Sequence, residues 1–174
     1  MGHFSENQAL RYRRLAFYSE DVDRFNELLL NFIKKTDAHC ALLIDKDGHL
    51  VARQGIFADI DSASLSALVA GSFASTREVA KQLGEPEFQV LFHQGAQHSI
   101  HITLVGDRTL QVAVFSLQTK PGIIQVMARE LATKVLVILE EIAGRPQEQA
   151  EAPKLDSEFS DEMKNQIDDL FGGL

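Results

Sequence analysis

A single cysteine, Cys40, among 174 residues excludes an internal disulfide and fits a reducing compartment, so a cytoplasmic location is expected. Cations are also scarce: 17 Lys and Arg stand against 25 Asp and Glu, for a formal net charge of -8. A general nucleic-acid binder needs clustered cations that release counterions from phosphates, so no nucleic-acid partner is expected. The one basic cluster, Arg11, Arg13 and Arg14, lies in the amino-terminal tail. Long apolar runs are missing too. The first twenty residues hold no signal-peptide core, and no stretch approaches the roughly 18 apolar residues that span a bilayer. Neither secretion nor membrane insertion is expected. No Gly-rich loop precedes Lys-Ser or Lys-Thr, so nothing cradles nucleotide phosphates.

What is present is an ordinary globular composition, 45% hydrophobic and 24% charged, sufficient for one core. Between residues 20 and 35, Val22, Phe25, Leu28, Leu29, Phe32 and Ile33 recur at three and four, which predicts a helix, with Ser19 as its expected cap. An apolar run over 41–44, the turn Asp45-Lys46-Asp47-Gly48 and an alternating run over 49–52 predict a tight hairpin. Asp61 caps a second helix that Gly84 closes. Three strand-like segments follow, about 88–94, 99–105 and 110–115, as an antiparallel meander. A last helix starts near Thr119, with Pro121 in its first turn, carries Ile123, Ile124, Met127, Leu131, Val135, Ile138 and Ile142, and stops at Gly144. The order α-β-β-α-β-β-β-α, without a repeated βαβ crossover, implies an α+β fold: one five-stranded antiparallel sheet sandwiched by helices.

Candidate chemistry is weak. Asp45 and Asp47 lack the later ligands of a calcium loop and read as turn residues. His93, His98 and His101 lie close in sequence, but His98 and His101 have opposite parity on a strand and face apart. Cys40 and His39 are adjacent and face apart for the same reason, which leaves Cys40 as core. No metal, no cofactor and no catalytic residue is expected, so the chain does not read as an enzyme.

The second helix is the informative one. On a wheel, Leu65, Leu68, Val69, Ser72, Thr76, Val79, Ala80 and Leu83 gather as an expected sheet-packed stripe. Opposite lie Ala63, Ala67, Ala70 and Ala74, charged only from Arg77, Glu78 and Lys81 onward. A methyl-covered, uncharged face suits close approach by another protein; alanine as a plain helix former on an exposed face is the other reading.

Several motifs occur in a fixed order: Leu43-Ile44-Asp45 before Gly48; Asp61, Leu65 and Leu68 leading to Ala70-Gly71; Leu83-Gly84-Glu85; and Phe88, His93 and Gly95. Over about residues 20–143 the chain resembles the roadblock/dynein light chain family, and more closely its bacterial members called MglB. The ending from Ile167 to Phe171 resembles their tail. The resemblance implies a homodimer whose sheets and second helices join across a twofold axis. It also implies a partner, a Ras-like small GTPase of the MglA type, whose GTP hydrolysis MglB-like proteins stimulate without inserting an arginine finger. Carried onto this sequence, the GTPase contact comprises Ala67, Ala70, Gly71, Ala74, Arg77 and Glu78, with Arg77 a contact and not a catalyst; Ile167, Leu170 and Phe171 are a further expected contact.

The expected organisation is an N-terminal extension over 1–18, a roadblock domain over 19–144, a linker over 145–158 and an acidic tail with a possible short helix over 159–174. The expected function is GTPase activation in control of polarity or motility. Two alternatives stay open. A non-catalytic scaffold for a GTPase or other partner would bind without accelerating hydrolysis. A small-ligand sensory domain would need buried polar anchors, of which the sequence offers few.

Overall fold

Asp21 folds its carboxylate back to accept the amide of Tyr18 at 3.0 Å and so starts α1, Ser19–Thr36. Tyr18 is therefore the N-cap and Ser19, the expected cap, lies inside the helix. A carboxylate three residues in satisfies the orphan amide and meets the positive end of the helix dipole. The structure is a computed structural model that describes residues 17–58 and 60–145. Phe25, Leu29 and Phe32, spaced at four and three, are buried on one side of α1. The helix ends at Asp37, whose left-handed φ of 57° lets its amide bond Ile33 O at 2.8 Å.

β1, Cys40–Asp45, is buried over its first five residues, as a strand covered on both faces must be. The following turn is closed by Asp45, whose Oδ1 accepts the amides of Asp47 at 2.9 Å and His49 at 2.8 Å. Only Gly48 there takes a positive φ, 94°. The space also demands glycine, because a Cβ at Gly48 would stand 2.9 Å from Ala67 Cα of the helix above. β2, Leu50–Gly55, completes the hairpin.

α2, Ser62–Gln82, opens with Asp61 Oδ1 accepting Ala63 N at 3.1 Å, and Gly84 follows its end at φ 80°. A hydrogen bond from the Ser64 hydroxyl, then one from the Ala63 amide, hold the Asp61 carboxyl below its usual range. A lowered folded value means that its stabilising effect is present above the ordinary 3.8 and is lost as pH falls through the folded value. Asp61→Ala should thus lower the melting temperature at neutral pH and make no difference well below the ordinary aspartate range, as thermal melts at the two pH values would show.

The meander is β3, Val90–Gln94, β4, His98–Val105, and β5, Thr109–Ser116, and α3 runs Pro121–Gly144. All pairings are antiparallel and the strand order is β2-β1-β5-β4-β3. β1 and β5, aligned Cys40 to Val114 through Asp45 to Thr109, stitch hairpin and meander into one sheet. β2 and β3 are left as its edges.

Alternate residues of the central strands feed two cores. Ala41, Leu43, Ala113 and Phe115 meet α1 and α3 through Phe25, Leu29, Ile124, Leu131 and Val135. Leu42, Ile44, Ile102, Leu104 and Val112 point the other way and meet α2 through Val69, Ala70 and Phe73. Helices thus cover both faces, two on one and one on the other, as the element order predicts. Ile123 of α3 departs from its stripe and is 46% exposed. Among the described residues no helix is long and apolar enough to cross a membrane.

Candidate functional surface on the second helix

The rotation of α2 about its own axis differs from the wheel drawn on the sequence. Its buried side is Ser62, Ser66, Val69, Ala70, Phe73 and Ala80. Leu68, Val79 and Leu83, expected in the sheet-packed stripe, are 72%, 55% and 69% exposed. Ala70, expected on the open face, is 4% exposed and packs in the core, so its methyl is closed to a partner. The reason is Phe73: its ring is the bulkiest apolar group on the helix, and burying it outweighs leaving three aliphatic side chains in water. Phe73 is also the signal that would have set the wheel correctly.

The exposed surface of α2 consequently has two flanks. One is aliphatic, with Leu68, Val79 and Leu83 beside half-buried Leu65. The other carries the small, exposed Ala63, Ala67 and Ala74, with Gly71 between the flanks. Arg77 and Glu78 are exposed as well. Glu78 accepts Lys81 Nζ at 2.6 Å. Arg77 stands 4.0 Å from Glu87, which Lys46 Nζ grips at 2.6 and 3.0 Å. That mostly buried Lys46–Glu87 pair ties the β1–β2 turn to the chain entering β3. Five of the six expected contact residues, Ala67, Gly71, Ala74, Arg77 and Glu78, therefore lie on the exposed part of α2, without Ala70. Ile167, Leu170 and Phe171 lie outside the described residues, as do residues 1–16 and 146–174.

Cys40 is fully buried, and burial pushes its thiol up to about 11, so it stays protonated and unreactive near neutral pH. His101 faces α3 while its neighbours Ile100 and Ile102 pack toward α2, and His98 stacks edge-on with His39 at 5.3 Å. Among the described residues no three His, Cys, Asp or Glu converge.

The α3 face of the sheet holds what sequence reasoning missed. Ser99, His101, Thr103 and Gln111 are all buried there. Thr103 Oγ1 lies 3.2 Å from His101 Nδ1, while His101 Nε2 and both carboxamide atoms of Gln111 find no partner among the described residues. Burial holds the His101 imidazole below its usual range and hence neutral near neutral pH. No signal in the sequence marks them, because polar alternation such as that of Ser99, His101 and Thr103 is also what a strand with one solvated face shows.

The model of the Roadblock/LC7 domain matches residues 24–115, from within α1 to the end of β5. The chain belongs to the Roadblock/LC7 family. Among solved members, Myxococcus xanthus MglB is 31% identical, with a TM-score of 0.69 over 73% of this chain and 96% of that one. The gliding protein MglB of Thermus thermophilus is 30% identical, with a TM-score of 0.68 over 72% and 96%. A further MglB structure, in a tetrameric arrangement, is 30% identical with a TM-score of 0.69 over 73% and 96%. A Roadblock/LC7 domain from Streptomyces avermitilis, 14% identical at a TM-score of 0.61 over 66% and 97%, shares the fold. No curated protein sequence matches the chain. Within the family this chain is thus similar to MglB proteins, and the roadblock fold presents one helix, α2, alone on its face of the sheet.

Proposed function

We propose that this roadblock protein is a homodimeric regulator of a Ras-like, MglA-type small GTPase, acting in the cytoplasm to stimulate GTP hydrolysis in control of polarity or motility. The observation that carries the reading is the division of α2 into two exposed flanks. The aliphatic flank suits a second copy: Leu68, Val79 and Leu83 form an apolar strip, and the sheet ends in an edge strand, β3, whose Val90 and Phe92 are 40% and 44% exposed. An uncovered edge and an apolar helix flank are both satisfied by twofold pairing. The small-residue flank then offers the GTPase a surface of Ala67, Gly71 and Ala74 bordered by Arg77 and Glu78. Likeness to MglB proteins supports the choice of partner, and the gliding role in the name of the Thermus relative supports the motility setting.

The chain contributes no reacting group in this mechanism. Its surface holds the GTPase's own catalytic side chains where transition-state charge develops, and electrostatic positioning of that kind is the main source of rate in phosphoryl transfer. GTP turnover by the cognate GTPase should rise by about tenfold or more on adding this protein. Binding without acceleration would leave only a scaffold. Ala74→Arg should abolish association while circular dichroism stays unchanged, since Ala74 is exposed; an unfolded variant would instead place Ala74 in the core.

A further inference from the structure

Beneath α3 the sheet is polar where a covered face is normally apolar. The pairings of His101 with Ala113 and of Thr103 with Gln111 gather His101, Thr103 and Gln111, all buried, into one patch. Thr103 Oγ1 stands 3.2 Å from His101 Nδ1. His101 Nε2 and both carboxamide atoms of Gln111 are closed to solvent and have no partner among the described residues. Such atoms are costly, and water reaches them only if the cover moves. The cover is also loosely seated. Two cavities, of about 330 and 230 Å³, open between α3 and β4 and share Val105, Gly106 and Leu136 as lining, so the seam is underfilled along much of its length.

No carboxylate waits there for a cation. β3 faces this patch with Val90, Phe92 and Gln94, and β5 with Gln111, Ala113 and Phe115. From α3, Gln125 and Arg129 line the same cavity as His101, and a guanidinium has the sign of an imidazolium. Glu130, next to Arg129, is exposed and already held by Lys134 at 2.6 Å and Lys35 at 3.5 Å. Asp107, Arg108 and Glu140 line the second cavity, at the β4–β5 turn, and not the one that His101 lines.

We infer that α3 is a cover released by acid: a proton on His101 is accommodated only when α3 lifts from β4 along this seam and water reaches the imidazolium, so the lifted form gains population as pH falls. An uncompensated buried cation is strongly disfavoured, whereas hydrating a patch that already holds unpaired polar atoms restores their hydrogen bonds. The sign follows from burial, which holds the imidazole below its ordinary 6.5. The stability of the closed form is therefore fully present above that ordinary value. It is lost below it, by at most about tenfold in the closed-to-open ratio per pH unit, until the lowered folded value is reached. This device is independent of the GTPase reading and is measurable without any partner.

Hydrogen exchange of the full chain at about pH 7.5 and about pH 5.5, corrected for intrinsic rates, tests it. Protection of the α3 amides should fall by about threefold or more over that interval, with a ceiling of about tenfold. At the lower pH, α3 should be about tenfold or more less protected than β1, because the opening leaves the centre of the sheet closed. His101→Gln and His101→Phe cannot take up the proton, and whichever of them folds should show no such fall. A smaller fall in the wild type, equal protection of α3 and β1 at the lower pH, or the same fall in a folded variant would each overturn the inference; the first two are read on the wild type alone.

Discussion

Replacing Phe73 with alanine should lower the free energy of unfolding by about 3–5 kcal/mol, a large part of the roughly 5–15 kcal/mol that holds a typical domain together. The effect is large because α2 lies alone on its side of the sheet and brings few large side chains into it. Val69, Ala70, Ala80 and the serines 62 and 66 complete its buried side, so Phe73 is the largest side chain the helix adds to the cluster that holds Leu42, Ile44, Leu110 and Val112. Lys46 Nζ, 5.9 Å from the ring centroid, closes one side of it. Truncation leaves a hole that small neighbours cannot fill. Urea unfolding measures the change; a loss below about 1 kcal/mol would mean that α2 is seated by something other than this ring.

Charging the aliphatic flank has a different outcome. The double variant Leu68→Glu, Val79→Glu should keep its helical signal and lose self-association by about 100-fold or more, because each carboxylate would have to be desolvated in the proposed dimer contact without a cation. Sedimentation or light scattering across a concentration series reads the change. The same variant separates the two orientations of α2. If Leu68 and Val79 packed on the sheet, as their spacing alone predicts, two buried charges would unfold the protein; exposed at 72% and 55%, they leave the monomer intact. A folded variant that remains fully associated would remove α2 from the dimer contact.

These two substitutions also mark where the sequence was readable. Phe25, Leu29 and Phe32 repeat at helical spacing on a helix that has only one apolar side, so α1 and its buried face followed directly. Asp61 before Ser62 and Gly84 after Leu83 bracketed α2 for local reasons, a carboxylate for free amides and a positive φ for the exit. The central strands were legible because β1 is apolar on both faces and β5 carries the unbroken apolar run from Val112 to Phe115. α2 was harder. It carries aliphatic residues around most of its circumference, and a wheel cannot distinguish apolar residues held for a sheet from those held for another chain. The exposed placement of Ala67, Gly71, Ala74, Arg77 and Glu78 follows from the wheel; the burial of Ala70 does not, since a methyl group suits either environment.

The polar patch on the α3 face illustrates the same limit. Ser99, His101 and Thr103 alternate with apolar residues as they would on a half-solvated strand, and only the packing of α3 over that face turns ordinary alternation into buried, partly unpaired groups.

By itself the sequence determined the element order, most of the helix ends and the family, because caps, turn residues and periodicity act over a few neighbouring positions. The tertiary structure decided which way α2 is turned, which strands are edges and which polar side chains are shut away beneath α3. Those outcomes depend on competition between distant surfaces for a limited interior, where the bulk of one phenylalanine outweighs three aliphatic residues.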